Sequence, residues 1–125
     1  MTGELRIATL NCRGMASAAK RHRIISLLKL YFIDVILLQE THFTAIESAR
    51  ALEVEWGGTG FWSLGSNRSK GVGILVRPGL RYNCYYNLSD HEGRLLVVDI
   101  KFGDLDARII NVYAPNNHRE RRQFF

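Results

Sequence analysis

Apolar and polar positions alternate through residues 4–11, ELRIATLN, which puts Leu5, Ile7 and Thr9 on one face of a strand and Arg6, Ala8 and Leu10 on the other. CRGMAS breaks the pattern at Gly14. From Lys20 to Phe32 the period lengthens: Ile24, Leu27, Leu28 and Tyr31 follow the i, i+3, i+4, i+7 spacing of an amphipathic helix whose basic start faces water. IDVILLQ is then a short unbroken apolar run, the pattern of a strand covered on both faces. Strand, helix and strand form a βαβ unit, and its right-handed crossover makes the two strands parallel. Asn11 and Glu40, each just past a strand end, should therefore share one edge of a sheet.

Residues 44–56, TAIESARALEVEW, predict a second helix, with Thr44 as cap and Glu47 at capping-box spacing, ended by GGTG. The rest reads as β structure. FWSLGS, KGVGILVRPG, RYNCYYNLS, GRLLVVDIKF and DARIINVYAP are separated by Gly, Pro, Asn and Asp signals. Gly103 and Asp104 form a Gly-first two-residue loop suited to a type II′ hairpin. After NVYAPN, the segment NHRERRQFF has the pattern of the first turns of a helix, and two aromatic residues at the terminus suggest a chain cut short. There is no internal repeat, low-complexity stretch or linker, so residues 1–125 are expected to be a single domain or part of one.

Composition changes this picture little: 46% hydrophobic and 23% charged residues describe a folding chain. The opening MTGELRIATLNCRG lacks the layout of a secretory signal, and no apolar run approaches the ~20 residues of a spanning helix. A soluble intracellular protein without a membrane partner is the expectation. Cys12 and Cys84 lack CxxC spacing and read as reduced thiols with no metal role. The net charge of +5 and pI of about 9.6 favour polyanionic partners without requiring them. Charge is patterned: residues 1–32 carry six basic and one acidic residue, and residues 33–56 one basic and five acidic. The basic clusters KRHR (20–23) and HRERR (118–122) fit a nucleic-acid surface and the wet side of a helix equally well.

Three polar groups follow strand ends: Asn11 in LNCRG, Glu40 in LLQETHF, and Tyr113 and Asn116 in NVYAPN. Taken singly, Glu40 fits turn chemistry and Tyr113 a core aromatic. In this order, together with GVGILV and EGRLLVVDI, they resemble the endonuclease/exonuclease/phosphatase superfamily, which includes exonuclease III, apurinic endonucleases and DNase I. The phrases VILLQETH, GVGILV, EGRLLVVDI and IINVYAPN look most like the endonuclease domains of LINE-type retrotransposons.

The resemblance implies a DNase I-like fold, a four-layered α/β sandwich represented by roughly its first, amino-terminal half. It also implies phosphodiester hydrolysis of DNA assisted by Mg²⁺ (or Mn²⁺). By the same carry-over, Glu40 holds the metal, a hard oxygen donor of the kind Mg²⁺ prefers. Asn11 helps bind the metal and orients the site through its amide. Tyr113 directs its hydroxyl at the scissile phosphate. Asn116 braces the loop or contacts phosphate, and Arg94 and Arg13 are substrate-binding candidates. Arg94 reads equally as a strand-end cation, and Arg13 stands where some relatives carry an acid, which weakens a metal site there. Gln39 is expected to support the loop. His42, without a second ligand at metal spacing, reads as a loop residue.

SDH at residues 89–91 copies the letters of the family's terminal motif in the wrong order along the chain, so Asp90 and His91 read as turn residues. The family's Asp-x-Asn motif and late Asp-His pair do not occur after Asn116. The expectation is thus a partial nuclease domain, inactive alone, whose partners are DNA and the remainder of the endonuclease domain or a reverse transcriptase in a longer nuclear product. A non-catalytic nucleic-acid-binding or interaction fragment and a phosphatase of the same superfamily are the alternatives.

Overall fold

A computed structural model of the chain describes residues 4–66 and 69–114. The segment NHRERRQFF and Asn116 lie outside the described residues. Within them run β1 (Ile7–Asn11), α1 (Ala18–Leu30), β2 (Val35–Gln39), α2 (Ile46–Trp56), β3 (Thr59–Ser63), β4 (Val72–Val76), β5 (Asn83–Ser89), β6 (Leu95–Phe102) and β7 (Leu105–Val112). One sheet has the order β1-β2-β4-β3 and the other β5-β6-β7. β1 and β2 are parallel, with Ile7 opposite Val35 and Asn11 opposite Gln39, as the βαβ pattern requires. The other strand pairs are antiparallel.

Alternation along β2 decides the layering. Ile36 and Leu38 point to a core shared with α1 and α2, built on Ile24, Ile25, Leu28, Ala49, Leu52 and Trp56. Val35 and Leu37 point the other way, with Val72 and Ile74, onto Leu96, Val98, Ile100 and Ile109 of the second sheet. Each such aliphatic side chain contributes about 1.5–3 kcal/mol on full burial, so these two cores hold the layers together. The order is helices, sheet, sheet. The outer face of the second sheet, carrying Tyr86, Leu88, Ile110 and Val112, is exposed and has no helix over it among the described residues. The described residues thus supply three of the four layers expected.

Local signals explain most element ends. Ser17 caps α1 by accepting from the Lys20 N–H at 3.3 Å. Gly57, at φ 83°, ends α2 by donating to the Glu53 carbonyl. Gly103 takes the positive φ of 57° that the first position of a type II′ turn needs, between Phe102 and Leu105.

Two expectations are corrected. Thr44 does not cap α2: the backbone is still extended at Ala45 (φ −127°, ψ 140°), and no side chain accepts there, so the helix begins one residue beyond reach of that hydroxyl. The buried stripe of α1 is Ile24, Ile25 and Leu28, while Leu27 and Tyr31 are 49% and 61% exposed. The cause is position. Among the described residues β1 is an edge strand, and Leu27 and Tyr31 stand beside an apolar groove of about 230 Å³ with Ala8, Leu10 and Ile36. Among the described residues no helix is long and apolar enough to cross a membrane.

At the end of the sheet remote from Glu40, Asp34 fastens three segments. Its carboxylate accepts from the Arg6 N–H at 2.8 Å and from Arg77 Nε at 2.7 Å, and its carbonyl accepts from the Arg77 N–H. With the starts of β1 and β2 and the finish of the antiparallel β4 anchored, the three strands present their other ends in a fixed register.

Candidate active site

At the opposite end, loops from both sheets are joined by a continuous series of main-chain hydrogen bonds. The Cys12 N–H donates to the Gln39 carbonyl, Gly14 N–H to Glu40 and Met15 N–H to Thr41, at 2.7, 2.7 and 3.1 Å. On the other side, the Thr41 N–H donates to Gly71 and the His42 N–H to Lys70. Gly71 N–H then donates to Gly93, and Tyr113 N–H to Arg94 at 2.8 Å. The series therefore runs from the Asn11 loop through Glu40 to Arg94 and Tyr113. A β-carbon at Gly71, whose φ is 90°, would lie 2.3 Å from Thr41 Oγ1, so the close approach of these loops requires glycine.

Buried polar side chains reinforce the edge. Gln39 Nε2 donates to Asn111 Oδ1 at 2.8 Å, and Asn111 Nδ2 donates to the carbonyls of Leu38 and Gly73 at 2.9 and 2.8 Å. This cluster connects the end of β7 to β2 and β4, two residues before Tyr113 and one before Glu40. Gln39 supports the loop, as expected. Asn111 was not singled out from sequence; its signal is an amide at an inward position of β7, in register with Ala107 and Ile109.

The Asp90 turn braces the other flank. Its Oδ1 accepts from Ser63 Oγ at 2.7 Å and from the Glu92 N–H at 3.0 Å, and Ser63 Oγ in turn accepts from the Gly93 N–H. Burial opposes ionisation of Asp90, but hydrogen bonds from Glu92, Ser63, Arg94 and Leu95 outweigh it and hold the carboxyl below the usual range. SDH is a structural turn here, in line with its place in the chain.

Asn11 is exposed, and its Oδ1 accepts from the Arg13 N–H at 3.1 Å, leaving a second lone pair on that oxygen. Glu40 is largely covered, with its side chain 17% exposed and its backbone in the left-handed region at φ 53°. Arg13 (φ 50°), His42 (φ 60°) and Lys70 (φ 67°) share that conformation on the neighbouring loops. Such strain clusters where a function fixes a side chain's direction. Arg13 is exposed, with its carbonyl 3.4 Å from Lys20 Nζ. Arg94 is half-buried, and its N–H lies 3.4 Å from Asp90 Oδ1. Tyr113 is half-buried and packs against the core between the sheets. The loops carrying Asn11, Glu40, Arg13, Arg94 and Tyr113 thus meet at one edge. Asn116 lies outside the described residues.

The donor set can be weighed against a divalent cation. No group of three or more His, Cys, Asp or Glu residues stands at metal-binding distance among the described residues. One carboxylate and one amide oxygen, on loops tied together by the Gly14–Glu40 hydrogen bond, fit the sparse oxygen coordination under which Mg²⁺ keeps its waters. Cys12 takes no part: it is buried, and burial pushes its thiol up to about 12. A cleft of about 430 Å³ lies on the helix side of the edge, between Gly14, Arg21, His42 and Ser48, and neither Glu40 nor Tyr113 lines it. The candidate site is the open edge.

Two sheets packed face to face, helices on one outer side and a polar edge built from strand ends define a DNase I-like α/β sandwich. The chain belongs to the Endonuclease/Exonuclease/phosphatase family, whose model matches residues 8–125. It is 31% identical over 121 residues to the "Transposon TX1 uncharacterized 149 kDa protein" of Xenopus laevis, covering 97% of this chain and 9% of that protein. Among solved structures it is similar to an AP endonuclease from Archaeoglobus fulgidus, with a TM-score of 0.64 and 27% identity over 90% of this chain and 42% of that one. D. rerio TDP2 in complex with a single-strand DNA product superposes with a TM-score of 0.67 at 21% identity, over 96% of this chain and 50% of that one. The chain spans about half the length of these structures and under a tenth of the transposon protein.

Proposed function

We propose that this chain is part of a Mg²⁺- or Mn²⁺-dependent phosphodiesterase acting on DNA, of the retrotransposon endonuclease type. The observation that carries the reading is the hydrogen-bonded series placing the loops of Asn11, Glu40 and Tyr113 at one edge. The transposon relative and the DNA-processing neighbours support DNA over a small phosphate ester as substrate.

Glu40 and Asn11 would hold the cation, which supplies charge to a phosphate oxygen when bound. Tyr113 would donate a hydrogen bond from its phenol to the phosphate, where negative charge develops. Arg13, Lys20 and Lys70 flank these loops and would attract the DNA backbone, and Arg94 would sit against it. Asn116 would brace the loop. No residue among these is suited to activate water, and the Asp-x-Asn segment that does so in the family has no counterpart in the sequence. The isolated chain would therefore bind DNA without hydrolysing it, because groups that act as a unit lose orders of magnitude in rate when some are removed.

Supercoiled-plasmid nicking tests this. The chain alone is expected to retain plasmid in a salt-dependent manner without nicking. A version extended past Phe125 in its reading frame to include an Asp-x-Asn segment is expected to nick with Mg²⁺, and Glu40→Ala to abolish nicking. Phosphate release from small esters without nicking would make it a phosphatase. Binding alone, even in the extended version, would make it a nucleic-acid-binding module.

A further inference from the structure

His42 is not a ligand by spacing, yet its surroundings are specific. Its Nε2 lies 3.9 Å from Glu40 Oε1, with side chains 20% and 17% exposed respectively. That nitrogen is shut off from solvent and has no hydrogen-bond partner among the described residues. On its other side the imidazole rests against the Asn11 loop: a β-carbon at Gly14 would stand 2.9 Å from Nδ1. The His42 main chain is fixed as well, through its hydrogen bond to Lys70 and a strained φ of 60°.

A nitrogen sealed from solvent cannot reach a phosphate or take a metal ion from solution. It faces the one carboxylate in the donor set. We propose that His42 is a positioning residue: wedged between Gly14 and Glu40, its imidazole sets the orientation of the Glu40 carboxylate toward a divalent cation and locks the two cation-holding loops together. This rests on Glu40 being the metal-holding carboxylate. A slight closing of the 3.9 Å gap on cation binding makes Nε2–H a donor to Oε1, leaving the other carboxylate oxygen for the cation. Ligating carboxylates are commonly held by such hydrogen bonds, and losing the partner costs about tenfold or more in metal affinity.

The probe is Mn²⁺ alone, its free signal followed by electron paramagnetic resonance in the full chain. Glu40→Gln is expected to abolish saturable binding. His42→Leu, which keeps bulk without a donor, should weaken binding about tenfold, and His42→Gln, whose amide can still donate, should recover it to within about threefold. If Glu40→Gln binds as the parent does, the functional reading falls and this inference with it. If Glu40→Gln loses binding and His42→Leu does not, or His42→Gln binds as weakly as His42→Leu, only the role of His42 is overturned. Should His42→Leu fail to fold, the unmodified chain still decides: Mg²⁺ titration of ¹⁵N-histidine-labelled protein should move the His42 Nε2 resonance and leave His22 and His91 in place. An unmoved His42 resonance would refute the assignment.

Discussion

Gln39 Nε2 and Asn111 Oδ1 meet at 2.8 Å across the interface of the two sheets, joining strands 72 residues apart in the chain. Neither side chain has catalytic chemistry of its own. Their importance is geometric: Gln39 precedes Glu40, and Asn111 stands two residues before Tyr113. The same Asn111 amide closes onto the Leu38 and Gly73 carbonyls, so one buried side chain holds three strands at the edge where the functional loops emerge.

Asn111→Ala should be among the more damaging single changes. It removes three hydrogen bonds and takes a partner from the Leu38 and Gly73 carbonyls in a buried setting, while Gln39 Nε2 keeps its bond to Thr9 Oγ1, an expected loss of about 2–4 kcal/mol. Thermal denaturation followed by circular dichroism should show the midpoint falling by roughly 10 °C. A midpoint within a degree or two of the parent would mean that water satisfies those groups and that the amide is not a structural lock.

Much of this edge was legible in the sequence because strand periodicity is local. The unbroken run VILLQ sits between two layers, and a parallel βαβ unit necessarily brings the ends of β1 and β2 together, so the neighbourhood of Asn11 and Glu40 followed from pattern alone. The joining of Tyr113 to them did not, since it depends on how one sheet packs on another; the ordered likeness to a family supplied it. Asn111 and His42 were illegible for different reasons. An inward asparagine can be read from the period of β7 but its partners cannot, and His42 derives its surroundings from a left-handed backbone and a glycine 28 positions earlier. Thr44 misled because a capping-box spelling fixes a helix start only where the backbone turns in time.

Glu40 sits at φ 53°, a conformation that costs a residue with a β-carbon on the order of 1 kcal/mol and glycine almost nothing. Glu40→Gly should therefore raise stability by about 1 kcal/mol while removing Mn²⁺ binding. Urea denaturation and the Mn²⁺ titration read the two effects separately. Loss of stability on this change would show that Glu40 contributes to the fold through contacts that outweigh its backbone strain.

The outer face of the second sheet presents Tyr86, Leu88, Ile110 and Val112, each at least 40% exposed, around a paired Asp99 and Arg108. A contiguous apolar sheet face of this kind is an association surface in water. Sedimentation of the chain over a wide concentration range should show mass rising with concentration. The double change Leu88→Lys and Ile110→Lys should keep it monomeric without altering its far-ultraviolet circular dichroism. Concentration-independent monomers from the parent chain would refute this.

Acid should loosen the flank of the site through Asp90. Its carboxyl is held below the usual range in the folded chain, and in the unfolded chain it titrates near an ordinary value of about 3.9. A depressed folded value stabilises the fold above the unfolded value, and that contribution is lost as pH falls through the folded one, because the unfolded chain takes up the proton first. Asp99, held low by its hydrogen bonds from Arg108, acts in the same direction. The melting midpoint should thus be flat from neutral pH to about 5 and fall below about 4. Asp90→Asn should lower the midpoint at neutral pH and flatten the acid limb, since it removes one of the groups that drive the slope. If Asp90→Asn retains the full acid slope, the Ser63 and Glu92 hydrogen bonds do not distinguish the charged carboxylate, and the turn is held by its backbone alone.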